Sequence, residues 1–233
     1  MKKIFKFIGK CLLAYFLCTF LLVLLWKYVP VPFTPYMARV KANHLELNMQ
    51  HHWVPMDEIS PHLVYAVISS EDNRFMKHNG FEWEIIMKLL EDHANGDKRR
   101  GGSTISQQTA KNCFTFARHN WFRKGVETYF TFLIEKIWGK ERIMEVYLNS
   151  IEMGEGIFGC EAAAQAYWHK PAAKLTKGEA ALLAACLPNP TKYSAAHPGP
   201  YMQKRQRQIM NLMPKMARVD FLEERKHNKN KKK

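Results

Sequence analysis

The chain opens with an apolar run from Cys11 to Trp26 in which Thr19 is the only polar residue. At 1.5 Å per residue these 16 positions span about 24 Å, somewhat short of a bilayer core. Tyr28 and Val29 lengthen the run, while the Lys10 and Lys27 side chains reach out to water. After it, apolar positions recur every three or four residues, which is the helical period. Ser60-Pro61 predicts a helix start, with Ser as N-cap and Pro in the first turn. Val64, Val67 and Ile68 mark one face of that helix, and Glu71 continues it. A second helix is expected near Glu82–His93, with Trp83, Ile86, Met87 and Leu90 inward. A third begins near Ser103 or Thr104, with Thr104, Gln107, Gln108 and Lys111 on one polar face. Trp121 to Trp138 is apolar almost all round and reads as the central helix of a domain. Further helices are expected over Glu141–Asn149, Gly159–Lys170, Thr176–Cys186 and Pro200–Met213. Thr176 and Glu179 form a capping box, and Pro188 stops that helix. Strand-like alternation is scarce, so the fold class is all-α, mainly helical, behind one N-terminal transmembrane helix. Arg225 to Lys233 reads as a disordered basic tail.

The N-terminal run also assigns a compartment. Lys2, Lys3, Lys6 and Lys10 precede it and only Lys27 follows closely, which places the N-terminus in the cytoplasm and the body outside. Trp26-Lys27-Tyr28-Val29-Pro30 holds no small-x-small cleavage site, so the run reads as an uncleaved anchor. The chain divides into a basic N-terminus (1–10), an anchor (11–29), a stiff neck with Pro30, Pro32 and Pro35 (30–39), a helical domain (40–218) and a basic tail (219–233). Net charge is +14, which calls for an anionic partner: nucleic acid, membrane or a phosphate-bearing substrate. A body outside the cytoplasm argues against nucleic acid. Cys113, Cys160 and Cys186 are scattered among apolar or small residues, which suggests buried thiols. No CxxC or HExxH spacing supports a metal site built by the protein.

Two carboxylates sit where packing alone would not put them: Glu71 on an apolar face and Glu127 within an apolar helix. A carboxylate held out of water binds a proton more readily, which suits a general base. The competing reading is a buried Glu satisfied by a cation, and for Glu127 the cation would be Arg123 one turn earlier. Arg99, Arg100, Lys111, Arg118, Arg123 and Lys124 read either as a solvated basic face or as a diphosphate site. In the second case Ser103, Thr104 and the Gly101-Gly102 backbone add donors.

Five segments then resemble the signatures of one family. Glu71-Asp72-x-x-Phe75-x-x-His78-x-Gly80-Phe81 resembles the first signature of the peptidoglycan glycosyltransferases, and Gly101-Gly102-Ser103-Thr104-Ile105-Ser106-Gln107-Gln108 the second. Arg123-Lys124-x-x-Glu127 is similar to the third, Lys140-x-x-Ile143-Met144-Glu145-x-Tyr147-Leu148-Asn149 to the fourth, and Glu179 through Leu187-Pro188-Asn189-Pro190 to the fifth. With no SxxK or KTG in the chain, the resemblance is to the monofunctional form. It implies a lysozyme-like glycosyltransferase domain that polymerises lipid II into β-1,4 glycan strands with inversion and releases undecaprenyl diphosphate. By resemblance, Glu71 is the general base and Glu127 assists the leaving diphosphate. Ser103, Thr104, Gln107, Gln108, Lys111, Arg118, Arg123 and Lys124 bind substrate, while Asp72, Phe75, His78, Gly80, Gly101, Gly102 and Asn149 frame the site. No obligatory cofactor is implied, and a divalent cation (Mg²⁺ or Mn²⁺) bridging the diphosphate is left open. The implied partners are lipid II, the growing glycan, the bacterial inner membrane and other cell-wall synthesis or division proteins. Two positions depart from the pattern. His119 stands where the family has Arg, with Arg118 beside it, and Glu82 stands where Asp is common. Phe114, Phe116, Trp121 and Phe122 are candidates for dipping into the headgroup region. The rival functions are a glycan hydrolase of similar fold and a non-catalytic membrane scaffold.

Overall fold

The computed structural model describes residues 2–94, 102–116 and 121–231. Helix α1 (Lys2–Tyr28) contains the whole anchor run, and α2 (Pro35–Asn43) starts inside the Pro-rich neck, capped by the Thr34 hydroxyl. The body follows as α3 (Pro61–Glu71), α4 (Trp83–Ala94), α5 (Ile105–Phe114), α6 (Trp121–Ile137), α7 (Lys140–Ser150), α8 (Cys160–Trp168), α9 (Lys177–Cys186), α10 (Pro200–Leu212) and α11 (Asp220–Lys231). Ser60 caps α3 with Pro61 at its first position, and Thr176 with Glu179 closes the capping box of α9. A small sheet of β1 (Gln50–His51), β2 (Glu152–Gly154) and β3 (Ile157–Phe158), in the order β1-β3-β2, was not anticipated. Strands of two or three residues are too short to show an alternating pattern.

Helices α3, α9 and α10 pack together on one side of the body and α5, α6 and α7 on the other. Leu63, Val67, Ile105, Ile143, Met144, Tyr147, Leu148 and Leu183 lie fully buried between and within these groups. Asn149 ties the preceding loop to α7: its amide accepts from Val54 N and donates to Val54 O, each at 2.9 Å.

Four expectations need correction. Trp83 and Met87 do not face inward on α4; they are 67% and 56% exposed, and Ile85 is exposed beside them. Periodicity reveals that a helix has an apolar face without revealing whether protein covers it. On α6, Phe130 and Ile134 are buried but Trp121, Phe122 and Phe132 are exposed, so this helix is not enclosed on all sides. Its flank lies against α1, where the Thr19 and Tyr129 hydroxyls meet at 2.9 Å and the Phe16 and Tyr129 rings at 5.4 Å. Phe114 is a core residue stacked on Phe130 at 4.3 Å, not a surface residue. The segment expected to be a disordered tail forms α11 as far as Lys231. Val219, Phe221 and Leu222 are buried, and Arg225 pairs with Glu141 and Asp57.

Helix α1 is bonded to the body at its C-terminal end. Trp138 Nε1 donates to Val23 O at 2.7 Å, and the Arg142 guanidinium donates to Trp26 O and Val29 O. A cation on the last carbonyls of a helix suits both their unused acceptors and the negative end of the dipole.

Candidate active site

The C-terminal end of α3 carries Glu71 and Asp72 to the mouth of a cleft. Asp72 Oδ2 accepts from Ile105 N at 2.9 Å and so holds the start of α5 against the end of α3. His78 Nδ1 accepts from Gly80 N at 3.0 Å, which leaves the proton on Nε2, 2.9 and 3.0 Å from the two Asp72 oxygens. Asp72, His78 and Glu82 bring three ligand-type atoms within 4.8 Å of one another. With this tautomer, however, Nε2 has no lone pair for a metal, and hydrogen bonds hold the corner instead. Gly80 has φ +91°, and a Cβ there would lie 2.9 Å from Glu135 and Thr131, so the loop accepts only glycine at this point. Phe75 is buried beneath the loop, with Lys140 Nζ 4.5 Å from its ring centroid. Glu82 Oε2 is buried without a hydrogen-bond partner, 3.7 Å from Arg74 Nε. Burial, reinforced by Asp72, raises the Glu82 carboxyl above the usual range.

Helix α5 supplies the floor. The Thr104 hydroxyl accepts from Gln107 N at 3.1 Å and donates to Gly80 O at 2.7 Å, while Gln107 Oε1 accepts from Thr104 N at 3.0 Å. This capping box contributes about 1 kcal/mol and occupies both side chains with the fold, so Thr104 and Gln107 meet the cleft as its wall. One turn on, Gln108 Nε2 donates to Glu71 Oε2 at 3.1 Å, and the Ser70 hydroxyl donates to Glu71 Oε1 at 3.2 Å.

The cleft has two compartments. A cavity of about 190 Å³ is lined by Glu71, Asp72, Glu82, Gly102, Ser103 and Thr104 among others. A larger one of about 510 Å³ is lined by Ser103, Gln107, Gln108, Lys111, Trp121, Arg123, Lys124 and Glu127. Ser103 belongs to both. The first is acidic and the second cationic. Glu127 is buried, with Lys124 Nζ 2.5 Å from Oε1 and Arg123 Nη1 3.2 Å from Oε2. Burial pulls Lys111 below the usual lysine range; Glu127 opposes this, and Arg123, Arg39 and Lys124 add to it.

The structure thus brings together Glu71, Asp72, Gly102, Ser103, Thr104, Gln107, Gln108, Lys111, Arg123, Lys124 and Glu127. Phe75, Gly80 and Asn149 belong to the supporting frame, and His78 lies behind Asp72. Gly101, Arg99, Arg100, Arg118 and His119 lie outside the described residues. Arg39 on α2 is within electrostatic reach of Lys111 and was missed, because it stands far upstream in a segment that reads as a spacer.

Residues 39–214 match the transglycosylase family. The chain is 49% identical over 226 residues to the biosynthetic peptidoglycan transglycosylase of Bacteroides thetaiotaomicron, covering 94% of this chain and 91% of that protein. It is 43% identical over 226 residues to the protein of the same name from Bdellovibrio bacteriovorus, covering 94% and 90%. For the Caulobacter vibrioides protein the figures are 50% over 189 residues, covering 80% and 81%. With a mainly helical, lysozyme-like body and a cleft assembled from the first, second and third motif segments, this chain belongs to the transglycosylase family and is a glycosyltransferase.

Proposed function

We propose that this enzyme polymerises lipid II into β-1,4 glycan strands of peptidoglycan and releases undecaprenyl diphosphate. One observation carries the reading: an acidic cavity on Glu71 adjoins a cationic cavity on Lys111, Arg123 and Lys124, with Ser103 between them. In this reading the 4-hydroxyl of the incoming disaccharide sits at Glu71, and the diphosphate of the growing chain sits among the cations. Glu71 takes the hydroxyl proton as the oxygen attacks the anomeric carbon. The bond from that carbon to the diphosphate breaks on the opposite face, so a single displacement inverts the centre. A diphosphate needs no strong acid to leave; it needs positive charge where its own negative charge develops. Glu127 keeps Arg123 and Lys124 folded inward rather than spread into water. Both Glu127 oxygens are already on cations, which makes that carboxylate a poor seat for a divalent ion, so no step is routed through one.

The cationic compartment also separates this reading from a hydrolytic one, since finished glycan carries no diphosphate to bind. Full-length protein in detergent or vesicles, given labelled lipid II, should yield products longer than the substrate, resolved by size. A preparation that shortens finished glycan and leaves lipid II unused would overturn the proposal.

The substrate's lipid tail requires the cleft to open at a membrane. We read α1 as the spanning helix, with the basic N-terminus in the cytoplasm and the body on the outer face of the bacterial inner membrane. Thr19 lies 28 − 19 = 9 residues from the end of α1, about 14 Å along the axis. Tyr129 touches it, so α6 enters the outer leaflet beside the anchor. Lipid therefore covers Phe122 and Phe132, whose exposure a soluble helix would not favour. A photoreactive phenylalanine analogue at Phe122 or Phe132, in the full chain in vesicles, should crosslink to acyl chains. Crosslinking to water alone at both positions would reject this seating.

A further inference from the structure

Glu71 does not meet its amide donor by chance. Gln108 Nε2 donates to Glu71 Oε2 at 3.1 Å, and the other end of the same amide, Oε1, accepts from the Tyr147 hydroxyl at 3.2 Å. Tyr147 is fully buried on α7, its ring fixed in the core beside α5. A carboxylate can only accept hydrogen bonds, so Gln108 must turn its NH₂ toward Glu71 and its oxygen away. In the opposite rotamer of the amide, oxygen would face oxygen. Glu71 itself selects against that alternative, and the Tyr147 hydroxyl, donating to the outward-turned oxygen, holds the amide in the selected orientation. Burial, with Glu71 and Asp72 adding to it, raises the phenol well above its usual range, so it remains a donor under all working conditions. The link spans three helices: α7 supplies the donor, α5 the amide and α3 the acid.

We propose that Tyr147 is a positioning residue for the transfer reaction, acting through Gln108 to hold Glu71 in the orientation that receives the hydroxyl proton. The inference rests on Glu71 being the base. Tyr147 touches no substrate, since it lines neither compartment of the cleft. Its effect therefore falls on the chemical step and not on binding.

Tyr147→Phe keeps the ring and removes one hydroxyl. Loss of one neutral hydrogen bond at the base should lower kcat about 3- to 10-fold with KM and the melting temperature little changed. In a Gln108→Ala background the same change should have no further effect, because the intermediary is gone. Gln108→Met removes both the donor to Glu71 and the acceptor for Tyr147, with α5 intact. It should lower kcat at least as much, even if Tyr147→Phe fails to fold. Parental kcat in Gln108→Met, or an undiminished effect of Tyr147→Phe in the Gln108→Ala background, would overturn the proposal. If Glu71→Gln itself retains full activity, the assignment of the base fails instead, and the two failures are distinguishable in one set of assays.

Discussion

Glu71→Gln should abolish most polymerisation, at a cost on the order of 10²- to 10⁴-fold in rate, while the protein still folds. The substitution keeps the shape of the side chain and removes its capacity to accept a proton. Glu71 is half-buried at the end of α3, and its hydrogen bonds come from Ser70 and Gln108, both neutral. Among the described residues no ion pair holds it, so replacing the carboxylate strands no buried cation there. A glutamine in its place can turn its own oxygen to the Gln108 amide and keep that contact. The melting curve should therefore coincide with that of the parent. Turnover of lipid II within a few-fold of the parent, with a normal melting curve, would remove Glu71 from the role of base. A variant that loses activity only because it unfolds is recognised by its melting curve. Glu71→Asp then supplies the second measurement: it keeps the acid but withdraws it by one methylene, and it should fall between the two.

Helix positions were legible because their signals are local. The Ser60-Pro61 start, the Thr176–Glu179 capping box and the Pro188 stop each involve residues within one turn, and the observed ends of α3 and α9 follow them closely. The cationic compartment was legible for the same reason: Lys111 shares a helical face with Gln107 and Gln108, and Arg123, Lys124 and Glu127 share another. What escaped depends on contacts between distant segments. Arg39 reaches the vicinity of Lys111 only because α2 packs on α5. Val219, Phe221 and Leu222 are three apolar residues at the head of a highly charged stretch, whose average composition conceals that they dock. The exposed faces of α4 and α6 misled for a further reason. Apolar patterning records the avoidance of water without naming what keeps the water away. Tyr147 likewise reads as one more core aromatic until its hydroxyl is found on Gln108.

Lys111→Ala should cost about 10²-fold or more in kcat, the scale seen when one charge-stabilising donor is removed from a transition state. Lys111 is the cleft cation whose protonation is most open to change, because burial already pulls it below the usual lysine value of 10.5. The sign follows directly. A cation with a lowered pKa loses its proton earlier as pH rises. Activity that needs the charge is complete below that pKa and is lost above it. The profile of kcat/KM reports the free enzyme, so its alkaline limb should fall below 10.5. Lys111→Arg should retain activity and move that limb upward, because guanidinium keeps its proton throughout the range. Glu127 provides the complementary test. It is the group that opposes the lowering at Lys111, whereas Arg123, Arg39 and Lys124 all promote it. Glu127→Gln deletes the opposing charge and frees Arg123 and Lys124 from their shared acceptor. It should therefore lower kcat and also shift the alkaline limb to lower pH. An unshifted limb in both Lys111→Arg and Glu127→Gln would mean that Lys111 is not the group titrating there. Parental turnover in Lys111→Ala would mean that it does not carry the diphosphate.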